Sequence, residues 1–114
     1  MRTLKDIHLQ PRDRTAVTRA ATVLKQGFAV RTVILFGSKA RGDDDAESDI
    51  DLLVLMDGPP SGAEKQRMTE ALFPLQLELG VVISKLVLSL EEWKNGVYQA
   101  LPIRHAVDQE GVVA

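Results

Sequence analysis

Val33-Ile34-Leu35-Phe36-Gly37-Ser38-Lys39-Ala40-Arg41-Gly42, followed after a short acidic run by Ser48-Asp49-Ile50-Asp51-Leu52-Leu53-Val54, decides how this chain folds. Both apolar runs have strand character, and successive side chains of a strand point to opposite faces. Asp49 and Asp51 therefore project from one face of the second strand. Held that close, two carboxylates repel unless a cation lies between them. Mg²⁺ suits that position, because it takes carboxylate oxygen and completes its shell with water and substrate phosphates. Gly37-Ser38 supplies a candidate phosphate site: glycine lets backbone N–H groups approach an anion closely, and Ser38 adds a hydroxyl donor.

Other readings of the stretch fail on particular residues. Gly37 to Gly42 has Walker A spacing, but Asp43 and Asp44 stand where that loop needs Lys and Ser or Thr. An EF-hand loop starting at Asp43 meets Ser48 where glycine is required and Val54 where the bidentate glutamate belongs. A merely solvated loop leading into a strand does not account for Asp51, a residue type disfavoured in strands, set against an apolar run.

These residues resemble the nucleotidyltransferases of the DNA polymerase β superfamily in their minimal bacterial form. The superfamily pattern is Gly-Ser, ten residues, then Asp-x-Asp, which is met by Gly37-Ser38, residues 39 to 48 and Asp49-Ile50-Asp51. Ala40-Arg41-Gly42 and Ser48-Asp49 also match the minimal family, and the likeness extends more loosely to Val87 through Trp93 and to Glu110-Gly111-Val112-Val113. The resemblance implies an α/β (α+β) fold, a small mixed sheet of three to four strands flanked by helices. It implies Asp49 and Asp51 as catalytic carboxylates holding Mg²⁺, with Gly37, Ser38 and Arg41 on a nucleoside triphosphate, ATP. A third carboxylate on a later strand is part of the family's chemistry. By position and parity it falls at Val82 or Ser84, and neither is acidic; Glu78, the nearest acid, belongs to a different element.

That departure leaves two expectations open. One is a transferase that moves a nucleoside monophosphate to a hydroxyl on a protein. The other is a catalytically weak nucleotide-binding module acting through its partner. The resemblance also implies the partner, a helical HEPN-type protein paired with this family as toxin and antitoxin.

At 114 residues the chain is expected to form one domain, residues 1–114. It has no cysteine, which excludes disulfides and thiolate metal sites, and His8 and His105 are too isolated to suggest zinc. No apolar run approaches membrane-spanning length and no signal-peptide core is evident, so a cytoplasmic location without membrane contact is expected. A net charge of −2 argues against general nucleic-acid binding. Charge is unevenly spread: six of sixteen acids fall between Asp43 and Asp51, and the preceding segment is basic. The basic residues from Arg12 to Lys25 read as a solvated helix face, and the acids of the 39–48 linker as solvated too.

Along the chain, residues 1 to 10 read as a loose lead-in. Pro11 opens a helix whose apolar stripe is Val17, Ala20, Ala21, Leu24 and Phe28, with Gly27 expected as its left-handed terminator. Val30 to Phe36 reads as a central strand, Ser38 to Arg41 as a helical turn, and Asp49 to Met56 as the second strand. Ser61-Gly62-Ala63-Glu64 matches a capping box, opening a helix that Pro74 should kink or split. Val81 to Leu88 reads as the third strand, then a helix from Leu90 to Gln99 with Trp93 and Val97 inward. A helical segment over Pro102 to Gln109 and a short strand at Val112-Val113 complete the reading.

Overall fold

The computed structural model describes residues 1–114. Helix α1 runs from Pro11 to Gly27, with proline in its first turn where a missing N–H costs nothing. Its inward stripe is Asp13, Ala16, Val17, Ala20, Ala21 and Leu24, at spacings of three, one and four that place them on one side. The helix passes through Gly27 and ends with Phe28 N–H bonded to the Leu24 carbonyl, Phe28 already being extended. Gly27 is thus not a left-handed terminator; the change of direction is taken by Phe28.

Strand β1 is Arg2–Thr3, β2 is Val30–Phe36, β3 is Ile50–Met56, β4 is Ile83–Ser89 and β5 is Val112–Val113. They form one mixed sheet in the order β1-β5-β2-β3-β4. β2 is antiparallel to both β3 and β5, while β3 and β4, and β1 and β5, run parallel. The fold class is as expected, with five strands rather than three to four. The additional strand is β1, too short for its two residues to show a period. Residues 1 to 10 are accordingly not a loose lead-in. The Arg14 guanidinium donates to the carbonyls of Leu4 and Ile7, and Arg2 reaches the carbonyls of Glu110 and Ala40.

The short helix α2, Ser38–Arg41, follows β2 directly. Helix α3, Gly62–Leu79, is the parallel crossover between β3 and β4. Its capping box forms in full: Ser61 Oγ accepts from Glu64 N–H at 3.0 Å, and Glu64 Oε1 accepts from Ser61 N–H at 3.2 Å. Pro74 does not split it; the helix continues to Leu79 and stops at Gly80, whose φ of 66° is the left-handed cap.

Helices α1 and α3 cover one sheet face, packing Ala16, Val17 and Leu24 with Met68 and Leu72 against Val33, Leu35, Leu52 and Val54. Helices α4 (Leu90–Asn95) and α5 (Pro102–Glu110) cover the other, where Trp93 and Val107 meet Ile34, Leu53, Leu55 and Leu88. β2 and β3 are therefore apolar on both sides, as central strands under two helical layers must be. The helix expected over Leu90 to Gln99 breaks at Gly96 into a 3-10 turn, Val97–Ala100, and this turns Val97 outward to 70% exposure instead of inward. Trp93 is buried as expected, with Tyr98 beside it and the Arg104 guanidinium 5.2 Å above its ring.

Candidate active site

β2 and β3 are paired with Phe36 opposite Asp51, and β3 and β4 with Asp51 opposite Ser84. Directly paired residues share a sheet face. Asp51 therefore lies on the face that α4 and α5 cover, and Leu53, two residues further on, is fully buried there. At the end of the sheet this cover stops, so Asp51 is half-buried and Asp49, just before β3, is exposed.

Gly37 has φ of 80° and ψ of −160°, a conformation that glycine adopts and other residues resist. It brings the chain from β2 into α2 with its Cα pressed against Asp51: a Cβ built at position 37 would collide with the Asp51 Oδ2. Ala40 and Arg41 N–H groups both bond to the Gly37 carbonyl, at 3.1 and 3.0 Å, which sets the turn. Ser38, half-buried, is the first residue of α2. Gly37, Ser38, Asp49 and Asp51 are thus gathered at one end of the sheet.

Burial raises the Asp51 carboxyl above its ordinary range, the neighbouring Asp49 charge raises it further, and Arg41 pulls the other way. A raised value of this origin marks Asp51 as a carboxylate whose burial and acidic neighbour are not offset by nearby positive charge. Arg41 itself is held between two acids, with Nε 3.0 Å from Asp43 Oδ2 and Nη1 3.1 Å from Glu110 Oε2. No three His, Cys, Asp or Glu side chains are grouped so as to hold a metal ion by themselves. A two-carboxylate donor set fits a hard cation that takes its remaining oxygens from water and phosphate. The largest cavity, about 420 Å³, lies between the start of α1 and the acidic linker and touches neither Asp49 nor Asp51. The carboxylate pair lies outside that cavity, with Asp49 exposed and Asp51 half-buried.

The acidic linker is less free than its composition suggests. Lys39, 1% exposed, places its ammonium 2.8 Å from Asp13 Oδ2, 3.1 Å from Asp44 Oδ2 and 3.2 Å from the Asp45 carbonyl. Asp44 is thus an ion-pair member and not a solvated acid. Arg12 ties the same loop through the Ala46 carbonyl at 2.8 Å. The basic residues of α1 act as ties elsewhere too: Arg19 pairs with Glu78, and Lys25 donates to the Ala114 carbonyl. Glu78, engaged with α1, is no substitute for the third carboxylate.

Sequence reasoning missed Lys39, Asp13 and Glu110. For Asp13 a signal existed: it stands one turn before Val17 on the helix's apolar stripe, where an acid needs a buried partner. Glu110 carried none, because its approach to Arg41 depends on β5 returning beside β2.

The nucleotidyltransferase domain family matches residues 17–102, a span that includes Gly37, Ser38, Arg41, Asp49 and Asp51 but neither Asp13 nor Glu110. The chain belongs to that family. A proposed protein adenylyltransferase of Methanocaldococcus jannaschii is 40% identical over 67 residues, covering 59% of this chain and 66% of that protein. A second proposed protein adenylyltransferase of the same organism is 35% identical over 81 residues, covering 69% of this chain and 76% of that one. Among solved structures, a toxin-antitoxin with AMP-PNP superposes with a TM-score of 0.57 at 18% identity, over 84% of this chain and 69% of that one. A Shewanella oneidensis complex of tri-AMPylated HEPN toxin with MNT antitoxin gives 0.53 at 16% identity, over 89% and 70%. The resemblance to minimal nucleotidyltransferases is borne out. No helix of the chain is long and apolar enough to cross a membrane.

Proposed function

We propose that this chain is a Mg²⁺-dependent nucleotidyltransferase that binds ATP and transfers its AMP to a hydroxyl on a helical HEPN-type partner, as the antitoxin of a toxin-antitoxin pair. The observation that carries the reading is the contact of the Asp51 carboxylate with Gly37, beside Asp49. It brings the candidate metal ligands and the candidate phosphate turn together at one sheet end. The names of the relatives, protein adenylyltransferases and an antitoxin bound to an AMPylated toxin, support the acceptor class.

In this reading Asp49 and Asp51 hold the cation, which when bound neutralises the triphosphate and lowers the pKa of the attacking hydroxyl. Gly37 keeps the space beside Asp51 clear of side-chain atoms, and Ser38 offers its hydroxyl to phosphate oxygen. Arg41 stands close enough to Asp51 to act on it electrostatically and adds positive charge at the same end. The acceptor hydroxyl gives up its proton to solvent as its oxygen bonds to the α-phosphorus, the bond from that phosphorus to the bridging oxygen breaks, and pyrophosphate leaves.

One observation favours a second reading, a nucleotide-binding module with little turnover. Ser84 is directly opposite Asp51 in the β3–β4 ladder, where a third carboxylate would belong, and a serine hydroxyl is a poor base. Incubating the chain with Mg²⁺, α-labelled ATP and a HEPN-type partner distinguishes the two. Label on the partner that is lost with Asp49→Asn/Asp51→Asn supports transfer. Tight nucleotide binding without label supports the second reading, and absence of binding defeats both.

A further inference from the structure

β4 ends the sheet, and its outer edge has no neighbouring strand. In a parallel ladder the residues of a strand alternate between bonding inward and outward. The Ile50 N–H bonds to the Val82 carbonyl and the register pairs Ile50 with Ile83, so Val82, Ser84, Leu86 and Leu88 bond to β3. Ile83, Lys85, Val87 and Ser89 consequently turn their backbone groups outward. Two of these N–H groups are closed off by side chains: Ile83 donates to Gln76 Oε1 at 2.8 Å, and Ser89 to Glu92 Oε1 at 3.0 Å. Between those plugs the outward N–H and C=O groups of Lys85 and Val87 have no strand to pair with, Lys85 being half-buried and Val87 5% exposed.

A groove of about 190 Å³ lies along this open section, lined by Lys65, Lys85, Leu86, Val87, Leu88 and Tyr98. Lys65 belongs to α3 and Tyr98 to the 3-10 turn on the opposite sheet face, so the groove straddles the edge from one helical layer to the other. Neither lysine is paired with a carboxylate; Lys85 has only the Thr69 hydroxyl, at 2.6 Å, and burial pulls its ammonium below the ordinary lysine range. Phe73, one helical turn beyond Thr69, is 55% exposed at the same side.

We propose that the open section of β4 is a docking edge for an extended acidic segment of a partner polypeptide, which adds as a sixth strand. Its backbone bonds to Lys85 and Val87. Its alternate side chains separate by face: acidic ones meet Lys65 and Lys85 on the α3 side, and apolar ones meet Leu86, Leu88 and Tyr98 on the other. Strand addition to an exposed edge takes affinity from main-chain bonds and specificity from alternate side chains. The lysines that blunt the edge against indiscriminate pairing also select an acidic strand.

The probe is an acetylated heptapeptide of alternating glutamate and valine, titrated into the full chain with isotope-labelled amides. Lys85 and Val87 amides should exchange at least tenfold more slowly with peptide. The dissociation constant should rise at least tenfold in Lys65→Glu/Lys85→Glu. Lys65→Glu alone, at an exposed helical position, keeps the test readable if the double variant fails to fold, and should weaken binding severalfold. Unchanged exchange at those two amides overturns the proposal. So does equal binding of a lysine-valine heptapeptide, or protection without peptide that grows with protein concentration, which would assign the edge to a second copy of the chain.

Discussion

The Asp51 carboxylate occupies the space that a side chain at Gly37 would need, so the Gly37-Ser38 turn and Asp51 are one packed unit. The glycine is required twice over. Its φ of 80° is costly for any other residue, and its missing Cβ is what admits Oδ2.

Gly37→Ala should therefore leave the sheet intact while displacing Asp51. Strain at such a backbone conformation costs of order 1–3 kcal/mol, a loss that the two-layered core should absorb. Circular dichroism should show native secondary structure, with Mg²⁺-dependent ATP affinity down at least tenfold. A variant that unfolds outright would make the glycine structural only, and one that binds normally would break the link to Asp51.

Lys39 is the second dependency. Removing one member of a buried ion pair typically costs about 3–5 kcal/mol, because the other charge is left unpaired. Lys39→Met should lower stability by that order in chemical denaturation, and adding Asp13→Leu should recover part of it. A double variant worse than the single would show that Asp13 matters mainly through Arg12, whose Nε lies 3.6 Å from Asp13 Oδ1.

The pH dependence of that contribution has a definite sign. Burial pulls the Lys39 ammonium down, but hydrogen bonds to Asp13 and Asp44 outweigh it and leave it above its ordinary 10.5. A raised folded value means the stabilisation is whole below 10.5 and is lost as pH rises through the folded value. The stability gap between wild type and Lys39→Met should hold steady through neutral pH and narrow only in strong alkali. A gap that closed near neutrality would contradict the ion pair.

Restoring the absent acid separates the two functional readings. Ser84 pairs with Asp51 in the ladder, whereas Val82 lies one pleat further out and is 59% exposed, so Val82→Asp buries no charge. General-base assistance is typically worth about 10²–10⁴-fold. Ser84→Asp should raise pyrophosphate release at least tenfold at saturating Mg²⁺, and Val82→Asp should not. Fast wild-type turnover that Ser84→Asp fails to improve would show that the chemistry needs no acid there.

What the amino-acid order revealed and what it hid divide along contact range. The Gly37-Ser38 turn, the strand bearing Asp51 and the Ser61 capping box rest on residues close in sequence, and local spacing is enough to read them. Lys39 with Asp13, and Arg41 with Glu110, are pairs separated by 26 and 69 residues, brought together only when α1 and β5 pack beside β2. No local period records such a meeting. Val97 faces outward for a local reason: Gly96 ends α4 early, and the i to i+4 spacing from Trp93 loses its meaning once the helix tightens into a 3-10 turn.

The central claim, that Asp49 and Asp51 together carry a divalent cation for a triphosphate, is tested most directly by calorimetric titration of ATP with and without Mg²⁺. Neutralising two adjacent carboxylates and a polyphosphate requires cations. The wild type should bind at least tenfold more tightly with Mg²⁺, and Asp49→Asn/Asp51→Asn should lose that difference. Equal wild-type affinity in both conditions, or an undiminished Mg²⁺ effect in the double variant, would contradict the account.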